Sequence, residues 1–512
     1  MKLMSPADMQ IMDQVAIKDY KIPGILLMEH AAINIFNHLK EESRMDNICI
    51  VCGPGNNGGD GLALARLLNI VDSKNLKVIL LSEKSKFSDD AKVYLEICEK
   101  LDIDIEYKES AHQAKIIQAI NTSETIVDAI FGTGLKREVK GDYKDIIDEI
   151  NSSEAYVVSV DIPSGINGET GKVMGTAVYA DATITFVLPK KGLYLYPAIM
   201  YTGQVNVVEI GIPHQIIKDA NTDMYSIEEA EMKELLPIRN MRSNKGTYGK
   251  VLVIGGSKGM SGAVTLSSLA AYKVGCGIVT AAVPSSLLDI IESKLTEVMT
   301  YELPEQDGHI GQKAIKHVSE LINKYDVIAI GPGIGRSEVV KKILLEVLVS
   351  DKPCVIDADG LYYLSEMEDI LKNRSADTII TPHPGEMSRI TGYSINEILE
   401  DPIKIAREYS IKQNTITVLK LERIVISDTL GNIYINRYGN TGMAKGGSGD
   451  VLTGVIAGFI AQSNNPTNSC ILGSFVHARA GDIAAHKYSS YSMMPSDLIK
   501  SLSEVLKGLE DL

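Results

Sequence analysis

Residues 54–68, PGNNGGDGLALARLL, follow the apolar run ICIVC and crowd glycine, asparagine and aspartate into a short loop that continues as a helical pattern. A buried strand, a glycine-rich loop and a helix in direct succession are typical of a parallel α/β unit. The free amide groups at such a helix start can bind an anion. Alternatively, the loop serves only to pack strand against helix. Because Asn56, Asn57 and Asp60 are more polar side chains than a turn requires, we favour a ligand site.

The same alternation extends outward from this stretch. Short β-branched runs, including TIVDAIFG, AYVVSVDIP and ATITFVLP, are mostly separated by segments with helical spacing such as DDAKVYLEICEKL. Residues 4–39, before the first strand, have the pattern of two helices. Continuous apolar strands fit burial on both faces of a sheet. The sequence therefore predicts an α/β fold with a mostly parallel sheet covered by helices.

A second block repeats this rhythm. The pattern is lost between IIKDANTD and NKGTYGK and restarts at KVLVIGG, followed by GIVTAAVP, YDVIAIGPGIG, KPCVIDADG, DTIITPHPGE and TITVLK. The segment RIVISDTLGNIYINR then has the pattern of a hairpin. A chain of 512 residues exceeds the usual size of one core. We predict two α/β domains, residues 1–215 and 225–512, with a boundary near residue 220.

Composition excludes several classes of function. The 66 acidic residues exceed the 51 basic ones and leave a net charge of -15, which opposes nonspecific binding to nucleic acid or anionic lipid. No apolar run approaches the roughly 20 residues of a membrane span, so we expect a cytoplasmic protein. Cys49 and Cys52 form a C-x-x-C within a strand, where positions three apart point to opposite faces. We interpret both as buried apolar residues.

Polar residues follow further strands of the first half. Asp128 ends one strand ahead of a glycine loop that carries Lys136 and Arg137, and Asp161 and Ser164 follow the next strand. Each of these residues alone is more often structural. Because parallel strands end at one edge of a sheet, together they predict a ligand cleft.

The motifs NNGGDG, DAIFGTGL and DIPSG, in this order and spacing, resemble the NAD(P)H-hydrate epimerase family over about residues 1–215. The resemblance implies a Rossmann-like three-layer domain in which Asp161 is the acid/base. It implies a potassium site at Asn57, Asp128 and Ser164. The residues implied to contact the hydrate are Asn56, Asn57, Gly58, Gly59, Asp60, Gly132, Thr133, Gly134, Leu135, Lys136, Arg137, Glu138 and Asp161.

The second glycine-rich stretch, GMAKGGSGDVLTGVIAGFI at residues 442–460, places Asp450 near the start of a helix. Glycines at that position can aim backbone amides at a phosphoryl group, while an aspartate takes the proton of the acceptor hydroxyl. The alternative is an N-cap aspartate after a flexible loop. We favour the catalytic interpretation.

Four motifs, GGSKGMSGA, GPGIG, TPHPGE and GGSGD, resemble the NAD(P)H-hydrate dehydratase family over about residues 225–512. The resemblance implies a ribokinase-like domain with Asp450 as the base and ADP as phosphoryl donor with Mg²⁺. Together the two halves resemble bifunctional enzymes that epimerise R and S hydrates and dehydrate the S form to NAD(P)H, releasing AMP and phosphate. Implied contacts are Ala263, Gly333, His383 and Asp450 for the hydrate, and Lys420, Leu421, Glu422, Arg423, Ile424 and Gly449 for the nucleotide.

The second half departs from that family at two places. Lys420 is followed by Leu421 and Glu422 where Lys-Gly is usual, and Lys445 stands where threonine is common. Two alternatives are a ribokinase-like kinase that phosphorylates a vitamin or sugar, and a first half that is only an assembly module. The fused first half argues against the kinase, and Asp128 and Asp161 argue against an inert module. We expect small-molecule substrates, no nucleic-acid or membrane partner, and a homo-oligomer.

Overall fold

The computed structural model describes residues 1–108, 113–463 and 465–511. The chain divides into two compact units, Met1–Met224 and the part from Tyr225 onward. The division lies beside the boundary predicted near residue 220. Both units combine parallel strands with helices, so the predicted α/β class is confirmed.

The first unit begins with two helices, as predicted, and then alternates strands and helices. Its elements are α1 Pro6–Lys18, α2 Gly24–Glu41, β1 Ile48–Cys52, α3 Asn56–Ile70, β2 Lys77–Leu80, α4 Asp89–Lys100, β3 Asp104–Tyr107, α5 Gln113–Asn121, β4 Thr125–Ala129, α6 Asp142–Ser152, β5 Tyr156–Val160, β6 Ala182–Phe186, β7 Gln204–Val208 and α7 His214–Asp219.

The sheet of the first unit has the order β3-β2-β1-β4-β5-β6-β7, with parallel pairing throughout. All residues of β1 and β4 are buried, which explains their continuous apolar runs. Cys49 and Cys52 are fully buried and belong to apolar clusters on opposite faces of the sheet, as predicted. The carboxyl ends of β1, β4 and β5 therefore meet at one edge.

The second unit is built on a longer sheet. Its elements are β8 Met224–Ile227, α8 Glu229–Leu235, β9 Lys250–Ile254, α9 Ser261–Lys273, β10 Ile278–Pro284, α10 Leu288–Lys294, β11 Met299–Leu303, β12 Glu305–Gln306, β13 His309–Ile310, α11 Ala314–Ile322, β14 Val327–Ile330, α12 Glu338–Val349, β15 Cys354–Ile356, α13 Glu368–Asn373, β16 Thr378–Ile380, α14 Pro384–Thr391, α15 Ile395–Glu400, α16 Pro402–Gln413, β17 Ile416–Leu419, β18 Val425–Ser427, β19 Ile433–Asn436, α17 Ser448–Ser463, α18 Pro466–Tyr488 and α19 Pro495–Asp511.

This sheet has the order β11-β10-β9-β14-β15-β16-β17-β18-β19-β8. Pairing is parallel from β11 to β17, and the predicted hairpin adds β18 and β19 antiparallel. The segment interpreted as patternless contains α7, β8 and α8. These elements were missed because they are short, with four to seven residues each, and carry too few apolar positions for a period to show.

Across the described ranges, none of the helices combines the length and apolarity that crossing a bilayer requires.

Candidate active sites

A cavity of about 640 Å³ opens at the carboxyl edge of the first unit's sheet. Its walls come from α1, α2, α3 and α4 together with the loops after β1 and β4 and the residue after β5. The structure brings most of the sequence-predicted site residues of this unit together here. Those that line the cavity are Asn56, Asn57, Asp60, Gly132, Thr133, Gly134, Leu135, Lys136, Arg137 and Asp161.

Three predicted contact residues have other surroundings. A Cβ atom on Gly58 would lie 1.9 Å from the Gly53 carbonyl oxygen, and one on Gly59 would lie 2.7 Å from the Met28 sulfur. These glycines allow α3 to approach its neighbours closely. Glu138 is exposed and pairs with Lys140 at 2.8 Å. Gly58 and Gly59 of NNGGDG therefore serve helix packing. The polar residues of the same motif, Asn56, Asn57 and Asp60, line the cavity.

The Asp128 carboxylate is fully buried in β4, the strand whose following loop lines this cavity. It accepts hydrogen bonds from the Ser159 hydroxyl and the Ser164 amide, both at 2.8 Å, and from the Ser164 hydroxyl. Burial raises the pKa of Asp128, and the hydrogen bonds from Ser164 and Ser159 oppose that rise. The Asn57 side chain is 7% exposed, and its amide nitrogen has no hydrogen-bond partner. An unsatisfied buried amide in a cavity wall indicates a place for a ligand.

Asp161 follows β5 with a left-handed backbone (φ 66°). Its carboxylate forms an ion pair with Lys190, whose side chain is almost fully buried, and accepts a hydrogen bond from the Thr185 hydroxyl at 3.2 Å. Lys190 comes directly after the run ATITFVLP, so it also stands at a strand end. This position directly after an apolar strand run is the sequence feature from which Lys190 could have been predicted as a site residue.

Two more carboxyl groups share this cavity with Asp161. Burial raises the pKa of Asp60 well above its usual range, and the charge of Asp161 adds to the effect. Burial also raises the pKa of Asp13 to about 6, with Lys190 acting in the opposite direction. Asp13 was not predicted, because nothing in the pattern of α1 distinguishes it from a solvent-facing residue. Asp13, Asp60 and Asp161 therefore interact electrostatically with one another and with Lys190.

In the second unit, Asp450 lies in the first turn of α17. The helix begins at Ser448, so Asp450 is not the N-cap residue of the alternative interpretation. The buried His477 contacts the Ser448 carbonyl oxygen through Nε2 at 2.9 Å. Because a carbonyl only accepts, His477 donates here, and burial lowers its pKa to about 4, which keeps it neutral. His477 thus holds the start of the helix that carries Asp450.

A charged cluster surrounds this helix start. The Lys420 ammonium contacts Asp357 Oδ1 at 2.7 Å and lies 3.9 Å from Glu386 Oε2. The Thr453 hydroxyl donates to Asp357 Oδ2 at 2.8 Å. A Cβ atom on Gly449 would lie 3.2 Å from Lys420 Nζ. The structure therefore joins the predicted Lys420, Gly449 and Asp450 to three residues that were not predicted, which are Asp357, Glu386 and Thr453.

The cluster determines the protonation of Asp450. Burial, the charge of Asp357 and then that of Glu386 raise the pKa of Asp450 to about 7, while Lys420 opposes the shift. Burial lowers the pKa of Lys420, but Asp357 and Glu386 outweigh burial, so the pKa lies above its ordinary value. Lys420 is thus charged, and Asp450 exchanges its proton near neutral pH, as a general base requires.

The other predicted hydrate contacts, Ala263, Gly333 and His383, lie around the charged cluster at the start of α17. A Cβ atom on Gly333 would lie 3.1 Å from the Ala263 Cβ atom, so these two residues are neighbours. The helix of Ala263, α9, packs on α17. His383 is the N-cap of α14, and its backbone amide donates to Glu386 at 2.8 Å. His383 is therefore connected through Glu386 to Lys420.

The other predicted nucleotide contacts lie in the loop between β17 and β18. Glu422 is exposed and Leu421 half-buried, whereas Ile424 packs against the apolar core. The Arg423 guanidinium donates to the Arg437 carbonyl. Lys445 donates to the carbonyls of Tyr491 and Met493, each at 2.7 Å. Lys445 thus ties the glycine loop to the segment that precedes α19.

Comparison with known proteins agrees with this arrangement. A family model described as NAD(P)H-hydrate dehydratase matches residues 251–504, and one described as YjeF-related protein N-terminus matches residues 25–192. One similar structure is the crystal structure of the ADP/ATP-dependent NAD(P)H-hydrate dehydratase from Bacillus subtilis, which was co-crystallised with ATP/Mg²⁺. It has a TM-score of 0.50 at 30% sequence identity, and the match covers 56% of this chain and 100% of that chain. A ribokinase-like protein of Enterococcus faecalis has the same TM-score at 24% identity and covers 56% of this chain and 97% of that one, which supports the predicted fold.

Curated relatives extend the match over both units. The bifunctional NAD(P)H-hydrate repair enzyme of Moorella thermoacetica is 39% identical over 100% of this chain and 98% of its own length. The enzyme of the same name from Escherichia coli is 32% identical over 89% of this chain and 84% of its own length. Because both family models match in the predicted order and the identity extends over both units, the chain belongs to the family of bifunctional NAD(P)H-hydrate repair enzymes.

Proposed function

We propose that this protein repairs hydrated nicotinamide nucleotides in two steps. Residues 1–215 interconvert the R and S forms of NAD(P)H hydrate. Residues 225–512 dehydrate the S form with ADP and release AMP and phosphate. One observation carries the proposal: each unit holds an acidic side chain, Asp161 or Asp450, at the carboxyl edge of its sheet and beside a glycine-rich loop. The chain is also similar over both units to enzymes named for this repair.

In the first step, Asp161 is the proton carrier. Its carboxylate lines the cavity and is held by Lys190 and Thr185. Inversion at C6 of the hydrate requires the hydroxyl to leave and to be regained, and both events need proton transfer. Lys136 and Arg137 in the loop after β4 line the same cavity and would attract the phosphates of the nucleotide.

In the second step, Asp450 takes the proton of the C6 hydroxyl while the oxygen attacks the β-phosphorus of ADP and AMP leaves. The amides at the start of α17, behind Gly446, Gly447 and Gly449, face the charge that develops on the phosphoryl oxygens. Phosphorylation makes the C6 oxygen a good leaving group. Elimination of phosphate, with loss of a proton from C5, then restores the dihydronicotinamide ring.

A potassium ion fits the residues around Ser164. The Ser164 hydroxyl contacts the Asp128 carboxylate and lies 3.3 Å from the Phe131 carbonyl oxygen. These oxygen atoms are hard donors, and the Asn57 side chain, whose Oδ1 is a further oxygen donor, lies beside Gly132 in the loop after β4. Asn57, Asp128 and Ser164 would hold the ion, which would offset the buried charge of Asp128 and order the loop after β4.

Magnesium fits the cluster of the second unit. At nucleotide sites this ion is bound by one or two carboxylates together with phosphate oxygens. Carboxylates of this kind, those of Asp357 and Glu386, lie beside Lys420. Both would reach the ion, which would neutralise phosphate charge.

The proposal is tested by incubating a mixture of R and S hydrate with the protein, magnesium and either ADP or ATP. We expect recovery of dihydronicotinamide absorbance from both epimers, with ADP as donor. Absence of recovery with either nucleotide would contradict the proposal. Stable phosphorylation of pyridoxal or hydroxyethylthiazole instead would favour the small-molecule kinase.

Epimerisation is expected to depend on potassium. Titration with KCl should raise the wild-type rate to a plateau, and Asp128→Ala should weaken the response by roughly tenfold or more, because the variant loses a direct ligand. Dehydration of pure S hydrate by the same variant, which takes place in the other unit, serves as the control. A wild-type epimerisation rate indifferent to potassium would refute the site.

A further inference from the structure

The helix α1 forms one wall of the cavity in the first unit. Gln10, Asp13 and Ile17 line it, and their spacing places them on one face of the helix. Met9, Met12 and Ala16 on the same helix are buried and anchor it. The family model that matches this unit begins at residue 25, after the end of α1. The cavity therefore contains a carboxyl group, that of Asp13, from a segment that this family model does not cover.

The cavity holds more ionisable groups than a single proton carrier needs. Asp13 interacts electrostatically with Asp161 and Lys190, and Asp60 interacts with all three. Lys190 is paired with Asp161 and also favours the charged forms of Asp13 and Asp60, so one cation is shared by three carboxyl groups. The other charged groups that line the cavity are Asp60 from α3, Asp90 from α4, Lys136 and Arg137 from the loop after β4, and Asp161 after β5, while Lys190, after β6, is paired with Asp161.

Burial has different consequences for these carboxyl groups. The raised pKa of Asp13, at about 6, means that its proton exchanges near neutral pH, while Asp60 holds its proton more firmly. Asp161, paired with Lys190, has a cation to stabilise its charge. A carboxyl group whose proton exchanges near neutral pH and a second carboxyl group paired with a cation are thus present in one cavity. The Asn57 amide nitrogen, which is unsatisfied in the same wall, can donate a hydrogen bond to a ligand there.

We propose that Asp13 is a second proton-carrying residue of the epimerase site and acts together with Asp161. The inference rests on the proposed function of the first unit. Inversion removes a hydroxyl from one face of C6 and adds water to the other face. One carboxyl group cannot reach both faces without moving, whereas two groups on different elements of one cavity serve one face each.

Asp13 transfers its proton to the C6 hydroxyl, the C6–O bond breaks, and water leaves with the bonding pair while the ring nitrogen lone pair stabilises the resulting iminium ion. A water molecule then adds to the opposite face, and Asp161 accepts its proton. The pair thus holds one proton before and after the reaction, and the reverse reaction uses the two residues in exchanged roles.

The test measures conversion of purified R hydrate to S hydrate by the full chain. Asp13→Asn is expected to lower kcat on the order of 10²-fold with KM changed by less than about threefold, because the lost group acts on the transition state. Asp13→Glu keeps a carboxyl group and should recover at least about tenfold over the Asn variant. Asp19→Asn, an exposed carboxylate at the end of the same helix, should match wild type.

The pH profile separates catalysis from structure. The wild-type rate should fall as pH rises above about 6, since Asp13 loses its proton there, whereas the residual rate of Asp13→Asn should lack this fall. In the folded protein Asp13 resists ionisation, so its removal should leave the melting temperature at pH 8 unchanged or higher. If Asp13→Asn keeps more than about a third of wild-type kcat, or Asp13→Glu recovers nothing, the inference is wrong. If wild type itself fails to interconvert the epimers, the proposed function is wrong.

Discussion

Asp450→Asn is expected to slow dehydration of S hydrate by roughly 10² to 10⁴-fold, the usual effect of removing a general base. Asparagine has nearly the same shape, but it cannot take the proton of the C6 hydroxyl. The surrounding Lys420, Asp357 and Thr453 remain in contact with one another. The expected loss is therefore confined to the chemical step, with little change in nucleotide affinity.

The measurement uses pure S hydrate, ADP and magnesium. Interconversion of R and S by the same variant should continue, and Asp351→Asn, an exposed carboxylate of the same unit, should behave as wild type. For the wild type, kcat/KM should increase as pH rises to about 7 and then level off, because Asp450 acts in its ionised form. A variant that retains more than about a tenth of wild-type turnover would exclude Asp450 as the base.

Stability gives an independent check on this variant. The pKa of Asp450 is raised in the folded state from 3.8 to about 7, so the folded protein binds an extra proton between these values. Its contribution to the free energy of unfolding is therefore largest at low pH and is lost as pH rises through about 7. At pH 8 the Asn variant should be at least as stable as wild type. A lower melting temperature would mean that the loss of activity reflects misfolding.

Asp161→Asn is expected to restrict repair to the S epimer, with R to S conversion reduced by roughly 10² to 10⁴-fold. Asparagine is the appropriate replacement, because Asp161 has a left-handed backbone (φ 66°) that asparagine tolerates and alanine does not. The variant keeps hydrogen-bonding capacity toward Lys190 and Thr185 but cannot carry the proton.

Recovery of absorbance from each purified epimer in the presence of ADP and magnesium provides the measurement. The S hydrate should be repaired at the wild-type rate, since the second unit is unchanged. The R hydrate should be repaired only as fast as it epimerises spontaneously. Faster clearance of the R epimer by Asp161→Asn would show that another group is the principal proton carrier.

The polar residues after the strands were predictable from the sequence. Asn57, Asp60 and Asp161 each follow a continuous apolar run, and parallel strands bring their carboxyl ends to one edge of a sheet. The glycine-rich pattern likewise placed Gly449 and Asp450 at the start of a helix, and both lie in the first turn of α17. Local sequence pattern is sufficient to predict these residues, because the period of a strand, a glycine-rich loop and the start of a helix all depend on residues that are neighbours in the chain.

The sequence by itself determined the α/β class and most residues of the loops that line the cavity. Only the tertiary structure decided that Asp13 and Lys190 stand beside Asp161, and that Lys420 meets Asp357, a residue 63 positions away in the chain. It also separated the glycines that pack α3 from the polar side chains that line the cavity. The physical reason is that burial and electrostatic interaction depend on distances in space, so protonation is set by neighbours that no local pattern connects.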